Sequence, residues 1–529
     1  MSTTRRPRPA SAPPDGEPPA RALFLLVLAA LGPLTVLVVL EQLAVPLGCP
    51  GRFVYLYSPF GALRLVAALP ALALGVLLAL AVLRTAGTQR AGVGLALAAI
   101  AGAGLTVWAY RAPPQHVGQH ILNAHSPSHD GAFAVEAWSV TAVRPYLRDF
   151  AARAQTPPEQ MRGTRVISNP PGATLLAVAV ARLLAAAPAL REAALAGIRD
   201  ELVPQTHDSV ALGLAYFWAL TVLWAAAAPV LYAVGRQFWP PPTALVFAVG
   251  AWAGPAPLLF TPGKDPAQLL TVAVPLLLWL TAVRGRGGVA WAAAALAGTT
   301  AVLGCVASLV HVWVAVIVLV AGARAIGAAG RRHFGHIALA ACGGGALAVV
   351  LLAALADLNL PAVLASVARA QARVTRGPDA MPLAWQALGV PLFLLLAGAG
   401  FWSAALWTVG ARDGRPPLPA HDKTERPEAG SIGLDRARFG RGLVGLTALV
   451  LVATVGFTNI ETPRLWIPFM PLLLLGLLLQ PAWLQAPRPR ATRLLALLVL
   501  LHVAAAALQW SRLDVREAEL RLVHERYLG

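Results

Sequence analysis

The residues best suited to chemistry lie in one short polar run, Asn123 to Glu136, written NAHSPSHDGAFAVE. Asp130 and Glu136 stand six positions apart, with His125 and His129 just before them. A carboxylate ionised at the working pH can serve as a general base, and a nearby histidine can orient or tune it. A solvated loop with no chemical task would carry the same residue types. Asp130, Glu136 and, further on, Asp149 in YLRDF are all candidate bases. The H-x-x-x-H spacing would place both histidines on one helix face. Pro127 interrupts it, so metal ligation is the weaker reading.

Three more groups of residues accompany this run. Lys264 and Asp265 sit in FTPGKDP between two apolar segments, and Lys264 and Lys423 are the only lysines of the chain. A lysine there suits a phosphate as a compact point charge; an ion pair at a helix end is the plainer alternative. Arg369, Arg373 and Arg376 follow an i, i+4, i+7 pattern that shares one helix face. Planar guanidinium groups suit a substrate phosphate, and equally the headgroups of anionic lipids. Glu461 and Arg464, three apart in NIETPRLWIPFMP, either pair with each other or hold a phosphate and a sugar hydroxyl.

The elements that must position these residues are membrane spans. The chain has 529 residues, of which 57% are hydrophobic and 12% charged. Soluble domains carry about 25% charged residues. Many apolar runs approach the roughly 18 residues that read as a span. The expected fold is all-α, a polytopic transmembrane helical bundle of about thirteen spans. Residues 1–21 form a basic, proline-rich cytoplasmic tail and residues 22–510 the membrane domain. Within it, 111–207 is a large extracytoplasmic loop and 411–442 a flexible cytoplasmic loop; 511–529 is a polar tail. The first apolar run is too long for a signal-peptide core and reads as a retained anchor. The run from Val289 to Gly322 is too long for one span and reads as a tight hairpin. The net charge of +18 comes almost wholly from arginines in short links between spans. That is the mark of membrane orientation, not of nucleic-acid binding. The three cysteines, Cys49, Cys305 and Cys342, form neither a disulfide framework nor a metal spacing.

Sidedness turns on whether the apolar piece after Pro170 and Pro171 crosses the membrane. If it does not, the links GRQFWPPP, RGRGG, ARAIGAAGRRHFGH, residues 411–442 and QPAWLQAPRPRATR all face the cytoplasm, and almost every one is basic. The positive-inside bias favours that assignment. The N-terminus is then cytoplasmic, the protein a multi-pass protein of the plasma membrane. Asp130, Lys264, Asp265, the arginines of 369–376 and Arg464 gather on the external face.

In order along the chain, the motifs resemble the GT-C superfamily of membrane glycosyltransferases, near its protein O-mannosyltransferase and aminoarabinose-transferase branch. An acid lies in the first large external loop (HDGAF). A Pro-Pro pair opens an apolar helix (NPPGATLL). A span then ends in proline with an aspartate soon after (GPAPLLFTPGKD), and E-x-x-R with following prolines comes late (ETPRLWIPFMP). The resemblance covers most of 91–479. It implies inverting transfer of a sugar from a polyprenyl-phosphate donor at the extracytoplasmic face, with the loop acid as base. Asp130 matches that acid, Asp265 the second-loop acid and Arg464 the late arginine. His129, Lys264, Arg369, Arg373, Arg376 and Glu461 are the accompanying substrate-binding candidates, and no metal ligand is assigned. No organic cofactor is implied; a divalent cation is allowed but not demanded. The expected partners are a polyprenyl-phosphate-linked sugar, membrane lipid, and a glycan, lipid or protein acceptor. The chain departs from the family pattern. Two spans precede the one that should be first, and the paired Asp-Glu common in the family is absent. A transporter or flippase for a lipid-linked or anionic substrate is the competing function. A catalytically dead scaffold of the same fold is the third, and it predicts that the acids and arginines do not converge.

Overall fold

The computed structural model describes residues 18–45, 47–49, 53–57, 65–85, 91–111, 130–157, 165–196, 199–202, 204–376, 386–410, 434–458 and 462–514. The fold is helical. A backbone inside a bilayer must satisfy its own N–H and C=O groups, and long apolar runs do so as helices. The first three are α1 (Ala22–Gln42), α2 (Leu69–Thr85) and α3 (Ala91–Arg111). One small antiparallel ribbon, absent from the sequence expectation, joins β1 (Leu47–Cys49), β2 (Phe53–Tyr57) and β3 (Leu513–Asp514).

The long segment expected as a loop with one apolar helix after Pro171 carries four α-helices among its described residues. They are α4 (Gly131–Trp138), α5 (Val143–Arg153), α6 (Gly172–Ala186) and α7 (Pro188–Leu195). The run GAFAVEAW is rich in alanine, a strong helix former, and polar neighbours did not prevent a helix there. Pro171 caps α6, and Pro188 opens α7. The two helices bend by 107° at their junction. At 15 residues α6 is about 22 Å long, shorter than a bilayer core of roughly 30 Å.

Next come α8 (His207–Arg236), α9 (Pro241–Trp252), α10 (Pro255–Leu259) and α11 (Lys264–Arg284). Residues 243–260 were expected as one span. Prolines at 255 and 257 instead split them between α9 and α10. The expected hairpin is present as α12 (Gly287–Ala307) and α13 (Val310–Ala325), turning at Ser308 and Leu309. Then follow α14 (Arg331–Ala356), the amphipathic α15 (Leu360–Arg376), α16 (Gly389–Leu396) and α17 (Gly398–Gly410). The last two were also expected as one span, and they bend by 96°. Gly398 sits at the break with φ +83°, and a Cβ there would stand 2.7 Å from both His502 Cε1 and Pro255 Cδ. The chain closes with α18 (Arg436–Thr458), α19 (Thr462–Leu465), α20 (Met470–Leu478) and α21 (Pro489–Arg512).

Eight of the described helices are long and apolar enough to cross a membrane, or ten if each bent pair counts as one span. Three more apolar helices are shorter. The helices are not equally covered. Within its most apolar window α14 is 22% buried, while α11 and α21 are each 67% buried. So α11 and α21 lie inside the bundle, and α14 presents most of its apolar surface outward, as a lipid-facing helix does. Because α11 is 21 residues long, Lys264 and Arg284 stand about 30 Å apart at its two ends.

Candidate functional site

The central site is built at the Lys264 end of α11. Asp130 lies just before the first turn of α4, yet its carboxylate serves another helix. The Lys264 backbone N–H donates to Asp130 Oδ2 at 2.6 Å. The first N–H groups of a helix have no partner within it, so an acid from elsewhere can cap them and meet the positive end of the helix dipole. Gly263 makes this approach possible. A Cβ there would stand 2.4 Å from the Phe260 carbonyl oxygen and 3.2 Å from Asp130 Oδ2.

The other oxygen, Asp130 Oδ1, accepts from Arg165 Nη2 in an ion pair. Arg165 and Asn169 belong to the turn that leads into α6. Asn169 Nδ2 donates to the Arg165 carbonyl at 2.8 Å, and Asn169 Oδ1 accepts from Lys264 Nζ. The same ammonium lies 3.7 Å from Asp265 Oδ1 and 5.7 Å from the centre of the Phe133 ring. On the far side, Arg464 of α19 places Nε 3.2 Å from Asp265 Oδ2. One turn along α11, Gln268 Nε2 donates to Asp265 Oδ1 at 3.0 Å. Thr271 and His311 Nε2 meet at 2.7 Å a further turn on.

Asp130, Arg165, Lys264, Asp265 and Arg464 thus form one cluster drawn from four separate parts of the chain. Their exposures run only from 2% to 9%. Two carboxylates face three cations, so the cluster carries one positive charge in excess. Removing ions from water is costly, and mutual pairing offsets that cost only when geometry and hydrogen bonding are good. Burial by itself would raise the proton affinity of Asp130. The positive charges of Arg165, Arg464 and Lys264, with the Lys264 backbone N–H, outweigh it and hold the carboxyl well below its usual range. Asp130 is therefore an anion at every physiological pH.

The remaining sequence candidates are placed elsewhere or lie outside the described residues. Glu136 is six residues beyond Asp130, about 240° around the α4 axis, and it pairs with Arg153 of α5. Asp149 is exposed and pairs with Arg148 at 3.2 Å. Arg373 Nη2 donates to the Ala154 carbonyl at 2.9 Å, and Arg369 Nη2 to Ser366 Oγ at 3.3 Å. These contacts belong to α15 and the α5 side rather than to the buried acids. His129, Glu461 and the side chain of Arg376 lie outside the described residues.

Sequence reasoning passed over Arg165, Asn169 and Gln268. Arg165 did leave a signal, an arginine on the face expected to be poor in them, four residues before the asparagine of NPPGATLL. Gln268 was one helical turn from an acid already singled out. Tyr216 left none. Its ring is fully buried and joins Phe133 and Ala267 in one apolar group beside the cluster.

Among the described residues no group of three His, Cys, Asp or Glu side chains could hold a metal ion. The chemistry of the cluster agrees: both acids already face cations, and a divalent ion placed between them would add repulsion from three positive groups. Comparisons with protein-family models, with curated proteins and with solved structures gave no match.

Proposed function

We propose that the chain is a membrane glycosyltransferase of the GT-C kind, moving a sugar from a polyprenyl-phosphate donor to an acceptor hydroxyl. The observation that carries this reading is the convergence of Asp130, Arg165, Lys264, Asp265 and Arg464 in one buried, net-positive cluster. A donor phosphodiester brings one negative charge, which balances that excess. Two arginines and a lysine are the groups that receive a leaving phosphate.

In the proposed reaction the acceptor oxygen forms a bond to the anomeric carbon from the face opposite the phosphate. The bond from that carbon to the phosphate oxygen breaks, and its electrons leave with polyprenyl phosphate. The acceptor proton passes to Asp130. With Arg165 and the Lys264 N–H in place, Asp130 is a weak base. As Arg165 and Lys264 turn toward the phosphate, the carboxylate loses the charges that depress its proton affinity. Its basicity then rises in the complex in which it is used. Positioning and fixed charges supply most of the rate.

The finer expectations fit the same proposal. Thirteen spans result if α3, the bent α16–α17 pair, the split α9–α10 segment, α13 and the apolar stretch through α20 are counted with the eight long ones. The arginine-rich end of the bundle then faces the cytoplasm with the N-terminus, and the cluster faces outward across the plasma membrane. The test incubates membranes with labelled polyprenyl-phosphate sugars. Wild type should form glycosidic product, and Asp130→Asn should form none while still inserting. Substrate flux into vesicles with no glycosidic product in any preparation would replace this reading with transport.

A further inference from the structure

Tyr216 and Gln268 hold two polar atoms that the fold leaves without partners at the edge of the cluster. The Tyr216 side chain is fully buried, and its Oη makes no hydrogen bond. Gln268 is 3% exposed, and its Oε1 makes none either. The orientation of the Gln268 amide is fixed by chemistry. Its Nε2 donates to Asp265 Oδ1 at 3.0 Å, and an ionised carboxylate can only accept, so the oxygen must be the atom left over. Tyr216 belongs to α8, which packs along α11, and shares an apolar group with Phe133 and Ala267. Those two residues flank Asp130 and Lys264. The Tyr216 phenol is also within electrostatic reach of Asp130, Arg165 and Asp265.

An unpartnered polar atom in a dry interior is costly, and replacing it with an apolar group of the same shape is nearly neutral or stabilising. Phenylalanine would fill the Tyr216 position without that cost; methionine at 268 also gives up the hydrogen bond to Asp265. Neither unmet atom is charged, unlike the five groups beside them. A phosphate is served by the cations; a lone amide oxygen needs a neutral donor, and a phenol can give or take one hydrogen bond. Sugar hydroxyls offer both.

We propose that Tyr216 Oη and Gln268 Oε1 are a hydroxyl-reading pair, binding neutral hydroxyls of the transferred sugar while the cations hold the donor phosphate. The assignment rests on the proposed function and adds to it the polyol character of the transferred group. It divides the site into a cationic part for the lipid phosphate and an uncharged part for the sugar. A site built to bond a hydroxyl rejects strongly the analogue that lacks it, because the protein atoms are then left unpaired.

The experiment uses the full-length protein in lipid nanodiscs, as wild type, Tyr216→Phe and Gln268→Met. Thermal unfolding is followed with no ligand, with bare polyprenyl phosphate and with a panel of polyprenyl-phosphate sugars, including singly deoxygenated donors. Transfer from the same donors is measured in parallel. Without ligand, Tyr216→Phe should unfold at the wild-type temperature or above it, the opposite of what a structural hydrogen bond would give. Wild type should be stabilised more by one parent sugar donor than by bare polyprenyl phosphate. Both variants should lose that extra shift while keeping the response to the bare phosphate. In transfer, each variant should fall about ten-fold or more in kcat/KM, and its discrimination against one deoxygenated donor should vanish. The pair is ruled out if bare and sugar-bearing lipids stabilise wild type equally, or if the variants keep the discrimination. A sugar-specific shift without glycosidic product would keep the pair and remove the glycosyltransferase reading. Product formed by variants with wild-type discrimination would do the reverse.

Discussion

The two ends of α11 show what burial does to the same kinds of side chain. At the Lys264 end, three cations and two acids are packed into contact and hidden from solvent. At the Arg284 end the cations are more numerous and almost all exposed, among them Arg284, Arg286, Arg324, Arg331, Arg332, Arg438, Arg488, Arg490 and Arg493. Arg284 and Arg436 there are close enough to repel one another. Arg436 bonds the Phe238 carbonyl at 3.1 Å, and Arg438 pairs with Asp435 at 3.1 Å on an open surface. Water and headgroups can solvate that end, so its charges need no partners within the fold. The buried end has no such solvent. Each ion there must find its counter-ion within the fold, or in a substrate.

Four substitutions or conditions separate the two ends, with effects from large to small. Asp130→Asn strips Arg165 and the α11 N-terminus of their counter-charge and should cost about 3–5 kcal/mol of stability as well as transfer. A double-mutant cycle with Arg165→Met tests this. A coupling energy near zero would mean the buried pair behaves like a surface pair. The second test is pH. The folded value of Asp130 lies below its ordinary 3.8, so its charge stabilises the fold fully above about pH 4, and that stabilisation drains as pH falls through the folded value. The gap in unfolding temperature between wild type and Asp130→Asn should stay constant from neutral pH to about 5 and close below about 4. Third, Glu136→Gln breaks a pair whose arginine is 41% exposed, and should cost at most about 1 kcal/mol with transfer retained. Loss of transfer there, with Asp130→Asn active, would move the base to Glu136. Last, Arg438→Gln at the open end should change stability by less than about 0.5 kcal/mol and leave transfer untouched.

How much of this could be read from the sequence depended on how local each cause was. The hairpin at Ser308, the helix opened by Pro171 and the Lys264–Asp265 pair at a helix start follow from nearby residues, and they were legible. So were the break-prone prolines at 255 and 257, although their effect on the expected span was underestimated. The polar run ending at Glu136 reads as loop by its charges, whereas its alanines favour the helix it forms. Once it is a helix, the periodicity separates Asp130 from Glu136 at once. Arg165, Gln268 and Tyr216 were not legible as site members. Each is recruited by packing between segments far apart in the chain; Arg165 and Gln268 carry only a faint local mark, and Tyr216 carries none. The span count suffered for a related reason. Helices bent at Gly398, or shortened at Gly254, depend on what packs against the break.

The Asp130–Arg165 pair also bears on how the protein is made. Both partners emerge from the ribosome about a hundred residues before Lys264 and some three hundred before Arg464, at usual rates roughly fifteen to sixty seconds ahead of the latter. For the first third of that interval the acid has no α11 to cap, and throughout it there is no late arginine to face. Arg165 is the counter-ion the growing chain already possesses, so the pair can chaperone a future buried anion through membrane insertion. Replacing Arg165 should then lower the yield of inserted protein more than its effect on the finished fold accounts for, a difference that pulse-labelled insertion would reveal.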